Sequence, residues 1–170
     1  IGEDPILWTD RFTLEGSAVG SLRRTVRKLE RSGLEVRHFM PGGTVFSAGP
    51  DHAQLLEALR GISVAWLHGK SGGEKGFCMG RFDPAQLDDV WLAIAWFPAT
   101  GRVEGFCTWT PVWARHGWAL DLMRRRPDGP TGVVEMLVVR SVEFARARGD
   151  ALLSLSLSAL VRVDPSTGEP

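Results

Sequence analysis

The chain has 170 residues, enough for one domain with a sizeable core, and its 44% hydrophobic and 24% charged residues are the ordinary mix of a soluble globular protein. A formal net charge of +0 excludes a polycation, so any pull toward nucleic acid or anionic lipid must come from local clusters. The two cysteines, Cys78 and Cys107, form no CxxC and have no histidine partners nearby, which argues against a zinc site and a disulfide scaffold and predicts reduced, buried thiols. No apolar run approaches the roughly 20 residues of a membrane span, and none reads as a signal peptide. The chain begins at Ile1 rather than a methionine, as a piece of a longer protein would.

The first predicted element is a helix over residues 17–32. Gly16-Ser17 can cap its start, and Gly33 stands where a left-handed C-terminal glycine belongs. Leu22, Val26 and Leu29 share one face, while Arg23, Arg24, Arg27, Lys28 and Arg31 cover the other. Residues 34–40 read as a short strand closed by Pro41-Gly42-Gly43. A second helix over 51–67 carries a stripe of Leu55, Leu59, Ile62 and Trp66, and a glycine-rich loop, 69–76, follows it.

The strongest topological signal comes next. Residues 90–97 and 102–110 are strands joined by the turn Pro98-Ala99-Thr100-Gly101, a hairpin pattern, and 118–123 is a third strand. A long amphipathic helix over 132–148 turns Val134, Leu137, Val138, Val142, Phe144 and Ala145 to the core, and 152–157 is one more strand. Three antiparallel strands, a crossover helix and a last strand parallel to the third make a mixed, mostly antiparallel α/β (α+β) sheet flanked by helices. That order matches the acyltransferase fold of the GNAT type, by pattern alone. The polar tail 162–170 reads as frayed.

Three segments have the composition of a site. In ALDLMRRRPDGPTGVVE, Asp121 closes an apolar strand, and Arg124, Arg125 and Arg126 precede a Pro/Gly loop and a helix start. A helix N-terminus with arginines beside it suits a phosphate-bearing substrate. A solvated loop with Asp121 paired to an arginine is the bland alternative. The acetyl-CoA signature (Q/R)-x-x-G-x-(G/A) fails here at its last position, Thr131, and Pro130 removes a backbone N–H, which disfavours an ordinary acetyl-CoA enzyme. The second segment is the basic face of the first helix, where Arg23 and Arg27 suit phosphates of RNA or lipid if they are not simply solvated. The third is EKGFCMGRFDP, whose Asp83-Pro84 also reads as a helix or turn initiator. No serine–histidine or cysteine–histidine arrangement is legible.

EKGFCMGRFDP, ALDLMRRRPDGPTGVVEML and the opening IGEDP, FTLEG and ERSGLEV together resemble the catalytic domain of the lysylphosphatidylglycerol synthetase (aminoacyl-phosphatidylglycerol synthase, multiple peptide resistance factor) family, from Ile1 to about Leu160. The resemblance implies two GNAT-like lobes joined by a basic helix, usually behind a membrane-embedded flippase region. The present chain, 1–170, would be that helix and the second lobe. It implies aminoacyl-tRNA as donor, phosphatidylglycerol as acceptor, an anionic membrane surface on the cytoplasmic side of the bacterial inner membrane, and neither metal nor cofactor. The family's DLMR motif falls on Asp121 and Arg124, implied to be catalytic. Its GRFD motif falls on Arg81 and Asp83, and its early-helix acid on Glu135. These are assigned to substrate binding or site support, and Arg125, Arg23 and Arg27 join them as candidate substrate-binding residues from the arginine segment and the basic helix face. The sequence departs from the pattern at Thr131, usually asparagine, and at Leu155-Ser156-Leu157-Ser158-Ala159-Leu160, which lacks the usual glycine and proline. Two other readings stand beside this one: a catalytically silent module that binds anionic lipid or RNA, and a GNAT enzyme with another acyl donor.

Overall fold

The computed structural model describes residues 4–42, 52–68 and 82–156. They build one six-stranded sheet from β1 (Ile6–Trp8), β2 (Glu35–Phe39), β3 (Trp91–Phe97), β4 (Arg102–Val112), β5 (Gly117–Arg125) and β6 (Leu152–Ser154), in the spatial order β1-β6-β5-β4-β3-β2. Only β5 and β6 are parallel, and α3 (Val133–Arg148) connects them. The mixed, mostly antiparallel sheet and its crossover helix are the acyltransferase architecture anticipated from the pattern. Helices α1 (Gly20–Arg31) and α2 (His52–His68) complete the layers.

Strand alternation assigns the two faces. Trp91, Ala93, Ala95, Cys107 and Trp109 point to one side and form a core with Leu29 of α1 and Val133, Met136, Leu137, Val142 and Ala145 of α3. Leu92, Ile94, Val103 and Phe106 point to the other, against Leu59 and Ile62 of α2 and Leu87 of a 3-10 turn at Pro84–Asp89. On the α3 side Trp91 is the hub of the core: its ring centroid lies 5.5 Å from Trp109, 5.5 Å from Trp118 and 5.4 Å from Phe144. Cys107 lies in this layer, and burial pushes its thiol up to about 12, so it is inert as a nucleophile. Cys78 lies outside the described residues.

Several boundaries differ from the sequence expectation. The first helix begins at Gly20, three residues after the proposed Ser17 cap, because the chain first makes a turn in which Gly20 N–H donates to the Ser17 carbonyl. Its end is as expected. Gly33 has φ +88°, Gly33 N–H donates to the Glu30 carbonyl and Leu34 N–H to that of Leu29, a Schellman stop sealed by the buried Leu29–Leu34 contact. The third strand of the pattern runs two residues past Met123, so Arg124 and Arg125 are strand residues rather than loop residues. The stripe of α3 is broader than periodicity suggested: Val133, Met136 and Val139 are buried, whereas Val134, Val138 and Phe144 are half-buried. The last strand is shorter than its apolar run, and β1, a three-residue edge strand on β6, has too little sequence to be recognised as a strand. The loop 69–76 and the tail 162–170 lie outside the described residues.

Candidate active site

The site is organised by an irregularity in β5. In its pairing with β4, Thr108 faces Leu122 and Trp109 faces Leu120, so Asp121 is an extra residue with no partner opposite. Such a bulge bends a strand and re-aims a side chain. Leu120 packs into the α3-side core, while Asp121 and Leu122 both turn to the α2 side. There Thr108, a buried residue, donates from Oγ1 to Asp121 Oδ2 at 3.0 Å and accepts from the Leu122 N–H at 3.1 Å. One carboxylate oxygen is thus fixed. Among the described residues nothing donates to the other, Oδ1, and Asp121 is exposed. A small notch surrounds it, lined by Phe82, Asp83, Gln86, Val90, Thr108 and Leu122.

Asp83 enters the notch as the cap of the 3-10 turn. Its Oδ1 accepts from the Ala85 N–H at 3.0 Å, and Pro84 occupies the first turn position. The initiator role read from Asp-Pro is therefore observed, and the same residue borders the Asp121 notch. Phe82 anchors the segment by packing on Phe106, 5.4 Å between ring centroids. Arg81 lies outside the described residues.

The three consecutive arginines do not form one cluster. Arg124 lies opposite Phe106 in the ladder, hence on the α2 side with Asp121; it is 4% exposed and donates to the Met123 carbonyl at 3.2 Å. Arg125 lies opposite Gly105 and so on the α3 side. Arg126 turns back, its Nε donating to the Val103 carbonyl at 2.7 Å and its N–H to that of Glu104 at 2.8 Å. Alternation along a strand that continues past Met123 to Arg125 is the physical reason for the split.

The N-terminus of α3 also differs from the anion site expected of it. Gly132, φ +96°, stands at its cap without a side-chain hydrogen bond, and α1 lies directly against it: a Cβ on Gly132 would meet the Thr25 methyl at 2.1 Å. The first turn of α3 is thus packed closely against α1 at Thr25 and Leu29.

Of the remaining predicted residues, Glu135 is exposed in the first turn of α3, across the sheet from Asp121. Arg23 ties down the preceding loop, donating to the carbonyls of Leu14 at 2.6 Å and Gly16 at 3.2 Å. Arg27 is exposed and lines a groove of about 380 Å³ between α1 and α3, with Glu30, Arg140 and Glu143. Sequence reasoning missed Thr108 and Glu104. Each is a polar residue inside an apolar strand pattern, the one signal that marked them. Among the described residues no group of three His, Cys, Asp or Glu is placed to hold a metal ion.

A GNAT-type lobe with a carboxylate presented on a strand bulge is the class that this fold and notch define. Across residues 1–170 the sequence matches the family model described as phosphatidylglycerol lysyltransferase, C-terminal, and the chain belongs to that family. It is similar to the phosphatidylglycerol lysyltransferase of Bacillus subtilis, 30% identical over 96% of this chain and 18% of the relative. It is likewise similar to the lysylphosphatidylglycerol biosynthesis bifunctional protein LysX of Rhodococcus opacus, 33% identical over 93% of this chain and 13% of the relative. Among solved structures it superimposes on L-PGS from Bacillus licheniformis with a TM-score of 0.79 at 26% identity, over 95% of this chain and 48% of that one. A C-terminal domain from Agrobacterium fabrum, at 23% identity and a TM-score of 0.74 over 92% of this chain and 46% of that one, shares the fold. The chain thus spans less than a fifth of these curated relatives and about half of the solved chains.

Proposed function

We propose that this chain is the second acyltransferase lobe of an aminoacyl-phosphatidylglycerol synthase. It moves an amino acid from aminoacyl-tRNA to the glycerol hydroxyl of phosphatidylglycerol at the cytoplasmic face of the inner membrane. Membership of the family and the printed names of the relatives support the lipid acceptor. The observation that carries the catalytic assignment is the Asp121 carboxylate, exposed on its bulge with one oxygen held by Thr108 and the other open.

The donor is an ester already activated toward transfer, so the protein has to position two substrates and manage one proton. In this reading the acceptor hydroxyl oxygen attacks the ester carbonyl carbon while Asp121 takes its proton. The ester C–O bond to the tRNA ribose breaks, and the proton passes to that departing oxygen. Arg124, on the same face, stabilises the charge that develops on the carbonyl oxygen or holds the lipid phosphate. Asp83 supports the substrate side of the notch, and Arg81, by its place in the family motif, binds substrate. Arg125, Glu135 and Arg27 belong to the opposite side and contact the tRNA or headgroups at a distance from the reacting atoms, while Arg23 holds the loop before α1 in place.

The test is made in the full-length parent, expressed in a bacterium without aminoacylated lipids, with mass spectrometry of the lipid extract. The parent yields an aminoacyl-phosphatidylglycerol whose mass names the amino acid. Asp121→Asn reduces it by roughly 10²–10⁴-fold, the usual contribution of a general base. Unchanged lipid in both Asp121→Asn and Arg124→Ala would overturn the assignment. No aminoacylated lipid from a well-expressed parent would favour the silent binding module.

A further inference from the structure

Among the described residues three large hydrophobic side chains are exposed, and two of them, Trp8 at 43% and Trp113 at 83%, lie at one end of the sheet. Trp8 pairs with Leu152, Leu152 with Gly117 and Gly117 with Val112, so these four form one row across four strands, and Trp113 follows directly on Val112. The row is held tightly: a Cβ on Gly117 would meet the Leu152 carbonyl oxygen at 2.5 Å, so only glycine lets β5 and β6 close here. Trp113 stands on a four-residue hairpin loop, a 3-10 turn followed by His116 at φ 48°, the left-handed residue that ends such loops.

Three loops meet at this end and are hydrogen-bonded into one surface. Thr9 N–H donates to the Ala151 carbonyl at 3.1 Å, Ala151 N–H donates to that of His116 at 2.7 Å, and the Arg146 guanidinium donates to those of Thr9 and Phe12. This end carries Arg11 and Arg115 on its loops and Arg146 and Arg148 in the last turn of α3 against Asp10 and Asp150, a positive excess in a chain of +0 net charge. Arg11 lies over the Trp8 ring at 5.9 Å, and Arg148 pairs with Asp150 at 3.3 Å. Exposed tryptophans ringed by arginines are the chemistry of a lipid–water interface, where indole sits at headgroup level and guanidinium meets phosphate.

We propose that this end of the sheet docks the lobe onto an anionic lipid bilayer, with Trp113 and Trp8 in the headgroup layer and Arg11 and Arg115 against lipid phosphates. The inference deepens the function proposed above, on which it rests for the presence of a membrane. It also orients the lobe, since β5 rises from the docked end to Asp121.

The test is flotation of the 170-residue chain with vesicles of phosphatidylcholine alone or mixed with phosphatidylserine, an anionic lipid that is not the proposed acceptor. The chain floats with the mixed vesicles and not with phosphatidylcholine alone, and binding weakens as salt is raised. Arg115→Glu removes one cation and adds an anion, lowering binding by about fivefold or more. Trp113→Ala, at a position too exposed to affect folding, lowers it comparably, whereas Val64→Ser, at a 53% exposed apolar site on α2, leaves it unchanged. Absence of flotation with anionic vesicles, or equal flotation of Trp113→Ala, overturns the proposal. So does a Trp113→Ala chain that dissociates from dimer to monomer in sedimentation with flotation intact, because the face is then a protein contact. Vesicle binding by a parent that makes no aminoacylated lipid would leave the docking surface standing and remove the catalytic reading. Aminoacylated lipid from a parent whose lobe ignores anionic vesicles would do the reverse.

Discussion

The Thr108 hydroxyl sits between the Leu122 N–H, from which it accepts at 3.1 Å, and Asp121 Oδ2, to which it donates at 3.0 Å. One buried hydroxyl therefore satisfies a backbone donor at the β5 bulge and fixes the direction of the carboxylate that the bulge exposes. Thr108→Val removes both functions at nearly constant volume. Leaving the Leu122 N–H without its acceptor costs about 1–3 kcal/mol, read as a lower urea midpoint. Releasing the carboxylate lowers aminoacyl-lipid formation in the full-length parent by about tenfold, an effect of orientation. Thr108→Ser keeps the hydroxyl and recovers most of the rate.

His38 supplies a pH dependence of folding on the acid side of neutrality. Its ring stacks on Phe144, 4.2 Å between centroids, and its Nδ1 accepts from Trp91 Nε1 at 3.3 Å. Burial lowers its pKa from 6.5 to about 4. Between those values the unfolded chain binds a proton that the folded one refuses, so stability is full above pH 6.5 and is lost as the pH falls toward 4. A gap of that size corresponds to on the order of 3 kcal/mol. Urea titrations from pH 7 to pH 4 show this fall in the native chain. They show a flatter profile in His38→Asn, whose amide oxygen can still accept from Trp91.

The sheet was legible because its signals are periodic. Residues 91–97 and 102–112 alternate or run apolar around a turn closed by Gly101, φ +69°, and α3 carries a continuous stripe ended by Gly149, φ +84°. The partition of the site was not legible. Which face Arg124 or Arg125 joins depends on where β5 ends and on one extra residue at Asp121, and a bulge has no composition of its own. Thr108 and Asp121 are thirteen residues apart, so their pairing is a product of strand register. Arg23 shows the opposite limit: its cationic face reads as a binding surface, while the structure spends it on two backbone carbonyls of its own loop.

Gly132 gives a test of how closely α1 seals the start of α3. Gly132→Ala is strained twice, by φ +96° and by the Thr25 methyl 2.1 Å from the new Cβ. The backbone part alone costs about 1–2 kcal/mol, and the clash adds to it. Thr25→Ala removes the obstructing methyl, so the double variant regains the clash part and retains the backbone part. Strictly additive losses in denaturation would show that α1 moves aside freely and that the junction is open.

Glu104 is the extra residue of a second bulge, where β4 faces β3 at Trp96 and Ala95, and its side chain is almost fully buried. Arg102 Nε donates to its Oε1 at 2.6 Å and reaches Asp128 at 3.3 Å with Nη2, while Oε2 has no hydrogen-bond partner and lies where a Cβ on Gly129 would come, 2.8 Å away. The two acids that share this arginine are unequal. Asp128 is 72% exposed and can turn to water, so Asp128→Asn leaves the urea midpoint nearly unchanged. Arg102→Ala strands a carboxylate that cannot reach water, so its midpoint falls clearly further. The loss comes from the lone charge rather than from missing arginine contacts. Adding Glu104→Gln to Arg102→Ala, which removes that charge at constant shape, therefore restores most of the midpoint. A double variant as unstable as Arg102→Ala would instead assign the effect to the packing of the arginine stem over β4.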